Sequence, residues 1–240
     1  KLTSHGVKLI PFFVSVAVYF TLVQDPHGEL TTTLLKCAPI VCLKIYIFLK
    51  GIEYNSRILL GLAFSCVGDA LLNLDLFPHG MAAFAVAQVC YISAFGWKPL
   101  KLTIGICLYV VGAIAVILLS NRLDDLSLIV GLPVYMVLLI TMSWRALARA
   151  SHRKDFLSVF CAVGSELFII SDTMIIINMF IVTIPYQRIL IMSTYYLTQL
   201  AITLSTADDG KSWPPFVIMN CQQWRLLSTA NHTKVDRRYD

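Results

Sequence analysis

Eight apolar segments, each near the length a helix needs to cross a bilayer, follow one another with only short polar links, and this leaves the chain few ways to fold. They run over 7–24, 31–49, 55–77, 80–97, 102–120, 126–149, 155–180 and 185–206. A spanning helix takes about 20 residues. Hydrophobic residues make up 58% of the 240-residue chain and charged residues 14%, where soluble domains have nearer ~45–50% and ~25%. The excess is spread along the chain. The expected fold is all-α: a polytopic membrane bundle of eight transmembrane helices over 1–206, followed by a polar, flexible cytoplasmic tail over 207–240. The first apolar run lacks a small-x-small cleavage site and merges into the other spans, so it reads as the first helix and not as a signal peptide.

The links carry turn residues: Asp25-Pro26-His27-Gly28, Pro78-His79-Gly80, Lys98-Pro99 and the stretch 121–125. Links this short make neighbouring helices antiparallel. Fifteen Lys and Arg fall at the N-terminus, in the tail and in one set of alternate links, against Arg122 and Arg188 alone on the opposite side. That asymmetry places both termini in the cytoplasm and agrees with an even number of spans. It also accounts for the net charge of +5 without nucleic acid. A glycosylation sequon at Asn231 then falls on the cytoplasmic side. Six of the seven cysteines (Cys37, Cys42, Cys66, Cys90, Cys107, Cys161) lie in apolar runs and read as small buried hydrophobes rather than a disulfide framework.

Inside this apolar frame sit two carboxylates, Asp69 in Gly61–Asn73 and Asp172 in Phe168–Ile176, each preceded by a small residue. An Asp at bilayer depth costs roughly 2.5–3.5 kcal/mol on the insertion scale. Counting 1.5 Å per residue from the segment ends puts Asp69, Asp172, Gln88 and Tyr195 in one layer at ~12–15 Å depth. Two acids with no intramembrane Arg beside them point to a polar site enclosed by the bundle, against the plainer reading of an interhelical hydrogen bond or structural charge. Lys36 lies near the outer end of the second segment, where it either snorkels or meets a phosphate at the mouth. Lys44 faces the cytoplasmic half. Ser65 and Asn73 share the Asp69 face, Asn178 lies nearer the surface, and Tyr195, Tyr196 and Gln199 offer donors and acceptors. Glu166 has no evident role. All five histidines fall in loops or tails with no helical metal-ligand spacing, and neither a nucleophile elbow nor a phosphate-binding loop is present. Asp69 and Phe77 recur as Asp172 and Phe180, a faint repeat that relates helices three and four to seven and eight. On these residues alone, a transporter or lipid-binding protein that uses the acids for proton or ligand coupling stands beside an enzyme.

Several stretches resemble the lysoplasmalogenase family of membrane proteins, the YhhN-like family that includes the vertebrate transmembrane protein 86 pair, with the A branch nearer. They are Leu35-Lys36-Cys37-Ala38-Pro39-Ile40, the Gly-Asp run 61–70, 79–84, Tyr91-Ile92-Ser93-Ala94-Phe95-Gly96, the Ser-Asp run 168–172, and 185–199 with its Ser193-Thr194-Tyr195-Tyr196-x-x-Gln199 element. The resemblance spans about Lys8 to Thr206; the tail does not share it, and Gln88 stands where the family pattern usually has His. It implies hydrolysis of the vinyl ether bond of lysoplasmalogens to a fatty aldehyde and glycerophosphoethanolamine or glycerophosphocholine. Asp69 and Asp172 take the catalytic positions, and Lys36, Ser65, Asn73, Gln88, Tyr91, Asn178, Tyr195, Tyr196 and Gln199 surround the substrate. A vinyl ether is cleaved by protonation of its β-carbon, followed by attack of water on the oxocarbenium ion. One protonated acid and one carboxylate suffice for this, with no metal or organic cofactor. The implied partners are a lysophospholipid substrate and membrane lipid, and the implied location is a multi-pass protein of the endoplasmic reticulum.

Overall fold

The computed structural model describes residues 2–23, 28–49, 56–120, 122 and 125–208. The expectations for residues 24–27, for Lys50, for most of the link 121–125 and for the tail beyond Asp208, Asn231 included, lie outside the described residues. Within them the chain forms eight α-helices and no strand: α1 (Leu2–Leu22), α2 (Leu30–Phe48), α3 (Ser56–Asn73), α4 (Phe77–Phe95), α5 (Leu102–Ser120), α6 (Leu126–Arg153), α7 (Phe156–Phe180) and α8 (Gln187–Leu204), with a closing 3-10 turn at Ser205–Asp208. Five of them, α2, α3, α5, α6 and α7, are long and apolar enough to cross a membrane. Large apolar side chains such as Phe48, Val111, Ile117 and Val163 stand exposed on the outside of the helices, the surface that a bundle embedded in lipid presents. This is a multi-pass membrane protein.

Helix contacts close into a ring in the order α2, α3, α4, α6, α7, α8 and back to α2, with α1 packed against α2 and α5 against α6. Small residues allow the closest approaches. A Cβ added at Gly68 would lie 2.6 Å from the Phe84 ring, and one at Gly105 would lie 2.8 Å from the Trp144 indole. The α5–α6 seam is also tied by a 2.5 Å hydrogen bond between Tyr109 and Thr141. Arg145, buried near the end of α6, donates to the carbonyls of Gly96 (2.7 Å) and Pro99 (2.9 Å) and so holds the α4–α5 link. Cys107 is exposed on the outer face of α5. It is apolar as expected but not buried, because α5 has one main neighbour and turns most of its surface outward.

Three of the places where the boundaries differ from the sequence reading have a clear local reason. Pro78 lies in the first turn of α4, where its missing N–H costs nothing. The residues expected to form the link 78–80 are therefore helical, His79 among them, and the turn falls at Leu74–Leu76 with Asp75 at φ 59°. α6 runs on to Arg153 and is ended there by Lys154, which takes the left-handed conformation. Asp155 is not helical but caps α7, accepting a 2.9 Å bond from the Ser158 amide. The first of these changes the depth estimate. Asp69 sits one turn from the end of α3, while Gln88 lies three turns into α4, so the four polar residues do not share one layer.

Candidate functional site

Each of the six ring helices contributes to one cleft. Its empty volume is about 590 Å³, and its polar groups are Lys36 (α2), Asp69 (α3), Tyr135 (α6), Ser171 and Asp172 (α7) and Tyr195 (α8). Leu72, Met81, Phe84, Leu132 and Ile176 supply apolar wall between them. The two carboxylates singled out in the sequence therefore face a common space. Asp69 is buried and Asp172 half-buried.

Their surroundings differ. The Tyr195 hydroxyl donates to Asp69 Oδ2 at 2.6 Å. Lys36 Nζ lies 3.7 Å from Asp69 Oδ1 and donates to the Asp69 carbonyl at 3.5 Å. Asp69 is thus ion-paired, where the sequence reading left both acids without a cation. Lys36 turns inward and does not snorkel; its side chain is 12% exposed. Lys44 instead lines a separate surface groove with Phe48 and Leu59. Asp172 accepts a short hydrogen bond from the Tyr135 phenol and is paired with no cation among the described residues. Tyr195 is positioned by edge-on contacts to Phe84 (6.0 Å between centroids) and Phe168 (5.9 Å), a geometry that aromatic rings favour. Gly68 makes room for Phe84, which ties the Gly-Asp pair of α3 to the placement of Tyr195.

Other residues expected at the site lie behind it or at its ends. Tyr91 donates to Gln199 Oε1 (2.9 Å), Gln199 Nε2 donates to Ser65 (3.2 Å), and Ser65 and Tyr91 are 3.1 Å apart, a closed triangle joining α3, α4 and α8. Tyr196 donates to the Lys36 carbonyl (2.9 Å) and fixes α2 against α8. Asn73 donates to Thr32 (3.1 Å) and Thr33 (2.6 Å) at the start of α2. The Asn178 side-chain oxygen accepts from the Ile184 amide (2.9 Å) in the α7–α8 turn. None of these six lines the cleft. Gln88 is fully buried behind it. Glu166 accepts a short hydrogen bond from Ser143. The repeat-related Phe77 and Phe180 meet edge-on, 6.5 Å between centroids.

Tyr135 is the site residue that sequence reasoning missed. A signal was present: it stands on the buried stripe Leu128, Leu132, Tyr135, Leu139 of α6, and a hydroxyl on such a stripe needs a partner. Among the described residues no cluster of three or more His, Cys, Asp or Glu is arranged to hold a metal ion.

The sequence profile of the YhhN family matches residues 31–206. Among curated proteins, the chain is 37% identical to Lysoplasmalogenase TMEM86A of Homo sapiens over 220 residues, covering 86% of this chain and 91% of the relative. It is 36% identical to Lysoplasmalogenase TMEM86A of Bos taurus, with the same coverage. It is also 36% identical to Lysoplasmalogenase TMEM86B of Sus scrofa, covering 87% of this chain and 90% of that one. No solved structure is detectably similar.

Proposed function

The chain belongs to the YhhN family, and we propose that it is a lysoplasmalogenase, hydrolysing the vinyl ether bond of choline or ethanolamine lysoplasmalogens. The observation that carries this reading is that two carboxylates from different helices face one largely apolar cleft inside a membrane bundle. Apolar walls suit a single alkenyl chain. The names of the relatives add independent support.

In the proposed mechanism the two acids divide the work according to their neighbours. Asp69, held by Lys36 and Tyr195, serves as the carboxylate that stabilises the oxocarbenium ion. Asp172, with Tyr135 and no cation among the described residues, gives its proton to the β-carbon of the vinyl ether. Water then adds to the carbon bearing oxygen and returns a proton to Asp172. The hemiacetal collapses, its hydroxyl proton passing to the departing glycerol oxygen, and fatty aldehyde leaves. Lys36 donates to the Asp69 carbonyl and pairs with its carboxylate, and in this proposal its remaining N–H capacity meets a substrate phosphate oxygen. All eight helices cross the membrane in this proposal, with both termini in the cytoplasm of a protein of the endoplasmic reticulum, as the Lys and Arg distribution and the resemblance suggest.

The test is direct. Purified full-length chain in lipid nanodiscs should release aldehyde from an alkenyl lysophospholipid and none from the acyl lysophospholipid of the same head group. Binding or transport of the alkenyl lipid without aldehyde release refutes the hydrolase and leaves a carrier that uses the same acids.

A further inference from the structure

Hydrolysis in an apolar cleft requires that water be held there, and one side chain behind the cleft has unmet polar groups suited to the task. Gln88 of α4 is 0% exposed, and neither its carboxamide oxygen nor its nitrogen has a hydrogen-bond partner among the described residues. Burying an amide with both ends unmet is costly, and folded proteins meet such groups with ordered water. Gln88 lies near the Tyr135 hydroxyl, and that hydroxyl donates to Asp172. The next polar residue on the same helix, Tyr91, is satisfied within its triangle with Ser65 and Gln199. Gln88 therefore stands apart from a structural network whose members answer one another. It does not line the cleft that receives the lipid, so a substrate chain is a poor candidate to satisfy it, and a molecule the size of water is a good one.

We propose that Gln88 and Tyr135 hold the hydrolytic water and aim it at the cation formed beside Asp172. This rests on the lysoplasmalogenase reading and assigns Gln88 to the water and not to the lipid. The amide supplies an acceptor for one water proton and a donor for its oxygen. As the water oxygen bonds to the oxocarbenium carbon, its other proton passes to the Asp172 carboxylate, which has just protonated the β-carbon. Water supplies the oxygen of the aldehyde and one proton is recycled, so no oxidant or further reactant enters.

The test is kinetic and thermal, on the full chain in nanodiscs. Gln88→Met keeps length and removes both polar ends. It should lower kcat for lysoplasmalogen by about 10²-fold with KM within about twofold and a Tm unchanged or raised. Gln88→His, whose neutral ring keeps one donor and one acceptor, should stay within about tenfold of wild type. Three results overturn the water site while leaving the hydrolase standing: a wild-type kcat in Gln88→Met, a fall in Tm or loss of folding in Gln88→Met, or a folded Gln88→His no more active than Gln88→Met. A wild-type chain that releases no aldehyde overturns the hydrolase reading and this inference with it.

Discussion

Replacing Asp69 separates what its ion pair does for the fold from what it does for the reaction. The Lys36 ammonium lies 3.7 Å from Asp69 Oδ1, with the two side chains 12% and 3% exposed, so solvent screens the pair little. At that distance and an effective dielectric of 20 the attraction is about 4 kcal/mol. Removing one member of a buried pair costs about 3–5 kcal/mol because the other charge is left behind. Asp69→Asn keeps an acceptor for Tyr195 but strands the Lys36 ammonium, and it should destabilise the bundle by about 3 kcal/mol. Lys36→Met strands the carboxylate and should cost a similar amount. The double variant removes both charges and should recover most of the loss, so that the cycle shows a coupling of about 3 kcal/mol. Turnover should behave differently. Asp69→Asn should lose about 10²–10⁴-fold, and the double variant should recover none of it. Unfolding of the purified chain in one detergent, with aldehyde release measured in parallel, reads both quantities. Additive stability losses would show that the contact is no ion pair, and near-normal turnover in folded Asp69→Asn would remove Asp69 from the machinery.

Asp172→Asn should cut turnover as deeply, and the Asp69→Asn/Asp172→Asn double variant should be little worse than either single, because the two act as a unit; multiplied losses in aldehyde release would show independent roles. Tyr135→Phe keeps the ring and removes a hydrogen bond to a carboxylate worth about 1.5–3 kcal/mol, so kcat should fall by about tenfold to a hundredfold, and unchanged kcat would leave Tyr135 as packing. The proposed orientation keeps Asn231 in the cytoplasm and unmodified, and an endoglycosidase-sensitive shift in mass from cells would reverse it.

The helices were legible because each apolar run ends in turn chemistry, and the two acids because charge is costly in such runs. The direction in which each helix faces was not. α7 is apolar almost all round, and the polar face of α3 (Ser65, Asp69, Asn73) does not tell which neighbour it meets. For that reason the Lys36–Asp69 pair, across two helices, was invisible. Asn73, on the Asp69 face, and Asn178, nearer the surface, were both expected around the substrate, but each turns to a backbone or hydroxyl partner near a helix end. Tyr135 was passed over because aromatic residues in spans are mostly packing, and only its partner distinguishes it. The α3–α4 turn was misplaced because Pro78 punctuates the start of a helix as readily as a link.

The partners of Asp69 also differ in when they are made. Lys36 precedes it by 33 residues, while Tyr195 follows it by 126. At a synthesis rate of ~5–20 residues per second, Asp69 waits about 6–25 s for the phenol. A lone charge is costly in lipid, and during that interval Lys36 is already present on the preceding helix. Joined through this contact, a hairpin of α2 and α3 presents the two charges as a pair. The contact that pairs the carboxylate in the finished cleft is thus open to the nascent chain before Tyr195 has been made.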